Sequence, residues 1–91
     1  MATIFIKNAE TTVDLLVRVW DLNNSTGIPW RRPIKAGKYE QMNDVETNPN
    51  DGTSSIQWQS DAAGHDSGSG GPTAVVDGGT YPVTAGPLSK S

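Results

Sequence analysis

The residues best suited to chemistry lie around Trp30, in the segment Pro29-Trp30-Arg31-Arg32-Pro33. A tryptophan ring can stack on the C–H face of a sugar, while charged groups beside it bind the adjacent hydroxyls. The segment is too polar and too closely bounded by proline for a core strand. We therefore expect Trp30, Arg31 and Arg32 to be exposed and to bind a carbohydrate ligand. Two alternatives stay open: a protein interface, for which the same residue types are typical, and a Trp30 that covers one open end of the fold.

A second group of polar residues, Asp61, His65 and Asp66, lies in the glycine-rich stretch at 60–72. We assign all three to the same ligand-binding site, because carboxylates and imidazole can form hydrogen bonds with sugar hydroxyls. Five residues of this stretch are Gly or Pro and none is strongly apolar. This composition predicts a mobile loop.

His65 is the only histidine of the chain, which leaves little scope for catalysis by a nucleophile beside a base. His65, Asp66 and Ser67 are consecutive, a spacing that does not arrange three side chains as a triad. The glycines that follow lack the Lys and the helix of a phosphate-binding loop, and the loop aspartates do not follow the EF-hand pattern. We therefore predict that the protein is not an enzyme and has no cofactor or metal site, with calcium as the one ion left open.

The length of 91 residues suits one domain, and only 34% of the residues are hydrophobic. No cysteine is present, so neither a disulfide nor a cysteine-ligated zinc can reinforce so small a core. Self-association is the common remaining device, since a subunit interface covers apolar surface. We therefore expect a homo-oligomer, a dimer or larger.

The formal net charge of −3 disfavours nucleic acid as a partner, because binding to phosphates normally requires a basic surface. No window has the apolar length of a transmembrane segment, and the first residues lack the apolar run of a classical signal peptide. We expect a soluble protein that is cytoplasmic or released without such a signal.

The strongest strand pattern lies at 13–20, where alternation places Val13, Leu15, Val17 and Val19 on one face. A helix is the alternative, which the three valines disfavour. The opposite face includes Arg18 and Trp20, a mixed surface that suits cover by a loop or a partner subunit. We predict that Arg18 and Trp20 lie at a subunit interface. The β-branched run at 3–7 precedes this strand, and we expect the two to form an antiparallel hairpin.

Further strands are predicted at 39–42, 54–59, 73–76 and 80–84, with a short extended piece at 34–38. Turn residues lie at 48–52 and at 77–79, where we expect a second hairpin, and Pro82 confines the last strand to a sheet edge. Residues 86–91 form a polar tail. About six short strands with frequent turns predict an all-β fold, an antiparallel β-sandwich or a small barrel, in a single domain that covers 1–91.

Two functions follow from these patterns. The first is a small non-catalytic, lectin-like carbohydrate-binding module whose weak sites act together through multivalent self-association. The alternative is a structural or assembly protein, such as a coat, decoration or regulatory subunit, that uses the surface around Arg18 and Trp20.

Overall fold

The computed structural model describes residues 1–25 and 27–89. These residues form seven β-strands and no helix. The strands are β1 (Ala2–Asn8), β2 (Leu15–Asp21), β3 (Trp30–Ile34), β4 (Tyr39–Val45), β5 (Ser54–Asp61), β6 (Gly68–Val75) and β7 (Thr80–Val83). The prediction of an all-β fold is confirmed, and the arrangement is a small β-sandwich of two sheets.

Sheet 1 has the strand order β4-β1-β7, and sheet 2 has the order β3-β2-β5-β6. All pairs are antiparallel except β1 with β7, which is parallel. The two predicted hairpins are wrong, because β1 and β2 lie in different sheets, as do β6 and β7. Each of these connections crosses from one sheet to the other.

The core consists of the inward faces of both sheets, and alternation along the strands selects its members. In β2, Leu15, Val17 and Val19 are buried, as the sequence pattern predicts. The other buried hydrophobic side chains are Ala2, Ile4, Ile6, Ile34, Met42, Val45, Ile56, Val75 and Val83. Trp30 and Trp58 are partly buried and pack against this cluster.

Among the polar side chains that are fully buried, the larger is that of Asn8 at the end of β1. Its amide nitrogen donates to the carbonyl oxygens of Val13 at 2.8 Å and Ile34 at 3.0 Å, and its oxygen accepts from the Glu10 N–H at 2.9 Å. Asn8 therefore connects sheet 1 to β3 of sheet 2 through hydrogen bonds to backbone groups.

The glycine-rich stretch at 60–72 differs from the predicted loop. Residues 60–61 belong to β5 and residues 68–72 to β6, so the connection is limited to 62–67. The glycines are needed here for close packing: a Cβ atom on Gly68 would lie 2.7 Å from the Ser60 hydroxyl, and one on Gly70 would lie 2.5 Å from the Trp58 ring. Glycine in this strand reflects the approach of neighbouring groups rather than a linker.

Proline lies on three of the four edge strands: Pro33 on β3, Pro72 on β6 and Pro82 on β7. The predicted edge position of Pro82 is confirmed. β3 itself was not expected, because Trp30-Arg31-Arg32-Pro33 has the composition of a connection, but an edge strand tolerates proline and exposed arginine. The predicted turn at 48–52 is present, with Gly52 at φ 73° and its N–H bonded to the Asn48 carbonyl.

The end of the predicted tail, residues 90–91, lies outside the described residues, as does Thr26 of the connection before β3. The part of the tail that is described, 86–89, lies against the 62–67 connection, and Leu88 forms an isolated bridge with His65. Among the described residues, no helix has the length and apolar character needed to cross a bilayer.

Candidate functional site

Trp30 and Arg32 lie on the inward side of β3, which is also the side of the buried Ile34. Trp30 pairs with the buried Val19 in the sheet and is itself partly buried against the core. The guanidinium carbon of Arg32 lies 5.6 Å from the centre of the Trp30 ring, a cation–π distance. The Trp30 indole therefore contacts both the core and the Arg32 side chain of its own strand.

Arg31 projects from the opposite side of β3, because successive side chains of a strand alternate. It pairs directly with Arg18 of β2 and is exposed on the outer face of sheet 2. The predicted combination of Trp30 with Arg31 is thus separated by the sheet.

Asp61 lies on that same outer face, at the end of β5. Its Oδ2 atom is 3.0 Å from the Arg18 guanidinium, and its Oδ1 atom accepts a hydrogen bond from the Ser67 hydroxyl at 2.8 Å. Arg18 and Asp61 are about one third exposed, so this ion pair contributes about 0–1 kcal/mol. Its main effect is to direct the Arg18 side chain toward the end of the sheet.

His65 and Asp66 lie in the 62–67 connection and contact the tail. The Nδ1 atom of His65 is 2.9 Å from the Gly86 carbonyl oxygen, and a carboxylate oxygen of Asp66 accepts from the Ser89 hydroxyl at 3.2 Å. One polar atom of each side chain is thus engaged within the chain. The six residues predicted to bind ligand therefore lie in three places: the inward side of β3, the outer face of sheet 2, and the 62–67 connection where it contacts the tail.

A different group of side chains surrounds Trp20, on the outer face of sheet 2. Trp20 pairs with Gln57, Arg18 pairs with Gln59, and Gln59 pairs with Ser69, so β2, β5 and β6 present these side chains side by side. A shallow, open pocket of about 340 Å³ lies on this face. Its lining residues are Trp20, Leu22, Gln57, Trp58, Gln59 and Ser69.

The polar groups of this pocket lack partners in the described part of the chain. No side-chain hydrogen bond there involves the amides of Gln57 and Gln59, the hydroxyl of Ser69 or the indole N–H of Trp20. Four aspartates elsewhere differ, because their carboxylates accept bonds from nearby groups: Asp14 from Ala36, Asp21 from Asn23 and Glu46, Asp51 from Thr53, and Asp77 from Thr3. We define the Trp20 pocket by these six lining residues.

The Trp20 pocket combines an indole with neutral groups that both donate and accept hydrogen bonds. Sequence reasoning singled out Trp20 as an interface residue but missed Gln57, Gln59 and Ser69. Ile56 of β5 is buried and Trp58 packs against the core, so alternation along the strand directs the two glutamines outward. Their place beside Trp20 depends on the pairing of β2 with β5, which residue patterns do not specify.

Within residues 1–25 and 27–89, no group of three acidic, histidine or cysteine side chains is close enough to hold a metal ion. No protein-family model matches the chain, and neither the curated proteins nor the solved structures include a significant match.

Proposed function

We propose that the protein is a non-catalytic carbohydrate-binding module and that the Trp20 pocket is its binding site. The observation that carries this proposal is the set of hydrogen-bonding groups without partners around a partly exposed indole. A sugar ring presents an apolar C–H face and a rim of hydroxyls, and a site for it needs the same two components.

The neutral side chains of the pocket suit hydroxyl groups. Each glutamine offers two N–H donors and a carbonyl acceptor, and Ser69 offers a hydroxyl that can do both. Hydroxyls also donate and accept, so amides and hydroxyls can bind them without a charged partner. The volume of about 340 Å³ lies at the low end of small-ligand pockets, which suits one or two sugar rings.

The sheet gives these groups a rigid frame. Trp20, Gln57, Gln59 and Ser69 come from three hydrogen-bonded strands rather than from loops. A site that is already ordered loses little conformational entropy when a ligand binds, which matters for a ligand with few apolar contacts. The residues that line the pocket include no carboxylate and no histidine, which is why we propose binding without catalysis.

Self-association belongs to the same proposal. One shallow pocket on a small domain supports only weak binding, and joining several copies raises the effective affinity for a multivalent glycan. Sedimentation with and without a multivalent glycan tests this part separately, and a strictly monomeric chain would contradict it.

Glycan-array binding followed by titration calorimetry tests the site. We expect Trp20→Ala to weaken binding at least tenfold, which corresponds to about 1.4 kcal/mol. Gln57→Ala and Gln59→Ala should each weaken binding about two- to twelvefold for each hydrogen bond lost, since one such bond contributes about 0.5–1.5 kcal/mol.

The matched control is Tyr39→Ala, because Tyr39 is an aromatic residue that is 63% exposed on β4 of the other sheet. This variant should bind as the wild type does. If no glycan binds at any surface density, the function is wrong. If glycans bind but Trp20→Ala has no effect, the site is wrong.

An assembly subunit, such as a coat, decoration or regulatory subunit, is the second candidate function. It is favoured by Leu22, which is 45% exposed and lines the same pocket. An aliphatic side chain adds little to sugar recognition but is typical of the core of a protein interface. In this case Leu22→Ser and Trp20→Ala should both dissociate an oligomer in sedimentation, and glycans should have no effect.

A further inference from the structure

Two arginines face each other on the outer face of sheet 2, beside the Trp20 pocket. Arg18 and Arg31 are directly paired residues of neighbouring antiparallel strands, so their Cβ atoms lie about 4.5–5.5 Å apart. Like charges in this arrangement repel and destabilise the sheet unless an anion compensates them. The face therefore carries an excess of positive charge although the chain as a whole has a net charge of −3.

Only one of these two charges is compensated by the described residues. Asp61 pairs with Arg18 at 3.0 Å, and no carboxylate within residues 1–25 and 27–89 forms an ion pair with Arg31. Arg32, the next residue, does not share this face, because it lies over Trp30 and donates to the Arg31 carbonyl oxygen at 2.8 Å. The Arg31 guanidinium is thus exposed and lies beside that of Arg18, whose charge Asp61 neutralises.

The strand register places this charge within reach of a ligand in the pocket. Gln59, which lines the pocket, pairs with Arg18, and Arg18 pairs with Arg31. Two strand spacings separate Gln59 from Arg31, which is about 9.5 Å. Asp61 lies at the other end of the face, opposite Leu16, whereas the pocket is at the Trp20 end. An anionic group between the pocket and β3 would therefore meet Arg31 before it meets the carboxylate.

We propose that the ligand of the Trp20 pocket is an acidic saccharide, whose carboxylate or sulfate group binds Arg31. This inference rests on the proposed carbohydrate-binding function. A guanidinium group can bind either anion through two parallel hydrogen bonds, and such charge-assisted bonds are stronger than neutral ones. The anion also compensates the charge of Arg31, which Asp61 leaves unpaired, and this gives the acidic ligand an advantage over a neutral one of the same size.

A glycan array of matched pairs tests the inference. It compares galacturonan oligosaccharides with their methyl esters, and sulfated galactan oligosaccharides with the unsulfated form. Within each pair the sugar backbone is the same and the anionic group is masked or absent in one member, and the two pairs distinguish a carboxylate from a sulfate. We expect the wild type to bind at least one charged form about tenfold more tightly than its neutral partner. The affinity for that charged form should fall as NaCl rises from 50 to 500 mM, by about the amount expected when salt screens one ion pair.

Arg31→Gln should abolish this preference and the salt dependence while weak binding of the neutral forms persists. Arg31→Lys should keep part of the preference, because it retains the charge and loses the two-pronged geometry. The control is Lys35→Gln, which removes one exposed positive charge from the connection after β3 and should change neither quantity. Arg31 is exposed on an edge strand, so these variants should fold, and circular dichroism checks that they do.

The outcomes separate the two proposals. If neutral and charged forms bind equally, or if Arg31→Gln retains the preference, the inference is overturned and the carbohydrate-binding function stands. If no saccharide of either kind binds, both are overturned. Loss of the preference in Arg31→Gln alone supports the inference.

Discussion

Replacement of Asn8 by alanine is the most direct test of how this cysteine-free domain is stabilised. The substitution removes three hydrogen bonds of 2.8, 3.0 and 2.9 Å and leaves the carbonyls of Val13 and Ile34 and the N–H of Glu10 without their partner. Each such bond contributes about 0.5–1.5 kcal/mol net. We therefore expect the free energy of unfolding to fall by about 3 kcal/mol.

This loss is large for a domain of this size, whose total stability should be about 5–14 kcal/mol. It corresponds to a decrease in Tm of roughly 12–24 °C. Urea denaturation followed by circular dichroism gives the free energy of unfolding, and a scan gives Tm. The m-value should stay close to that of the wild type, because the same surface becomes exposed on unfolding.

Asn43→Ala is the matched control. Asn43 also accepts two side-chain hydrogen bonds, from Gln41 at 2.6 Å and Thr3 at 3.4 Å, but it is exposed on β4. Water can replace those bonds, so we expect a change within about 0.5 kcal/mol. If Asn8→Ala costs no more than Asn43→Ala, the argument that buried hydrogen bonds connect the two sheets is wrong.

Three further predictions concern the backbone and the loops. Asp44 has φ 61°, in the left-handed region, so Asp44→Gly should raise the free energy of unfolding by about 0.5 kcal/mol and Asp44→Val should lower it, as measured by urea denaturation. The Thr53 hydroxyl, followed by its backbone N–H, lowers the pKa of Asp51; the resulting stabilisation is present above the unfolded-state pKa and is lost as the pH falls through the folded-state value. Thr53→Val should therefore raise the pKa of Asp51 toward its ordinary value in an NMR titration, and an unchanged pKa would contradict this cause. A Cβ atom on Gly86 would collide with the backbone oxygen of Asp66, so Gly86→Ala should cost about 2 kcal/mol and increase hydrogen exchange in the 62–67 connection; unchanged exchange would argue against the contact.

The strands with a clear period of two could be predicted from the sequence, and their partners could not. Alternation predicted the buried face of β2, and turn-forming residues predicted the turn at 48–52, because both depend on residues close in the chain. β1 and β2 were expected to pair because they are consecutive. Their buried faces are instead apposed across the core, and nothing in a local pattern distinguishes pairing within a sheet from packing between sheets.

The same difference between local patterns and long-range pairing applies to the candidate site. Trp30 and Arg31 are neighbours in sequence, and proximity in the chain suggested a common site. Alternation along β3 sends the two side chains to opposite sides of the sheet. Trp20, Gln57 and Ser69 are distant in sequence, and the registers of β2, β5 and β6 bring them together. The glycine content of 60–72 led to the wrong prediction of a loop for a similar reason. Glycine is common both in flexible linkers and where neighbouring groups approach a strand closely.

The parallel pairing of β1 with β7 sets an order for folding during synthesis. β1 is the first of the seven strands to be translated and the central strand of sheet 1, but its neighbour β7 is translated last. Until β7 leaves the ribosome, one edge of β1 presents unpaired backbone groups, and the core cluster that contains Ile4 and Ile6 lacks Val83. A nascent chain stalled before residue 80 should therefore expose an aggregation-prone edge and bind chaperones, whereas one extended beyond residue 89 should resist proteolysis.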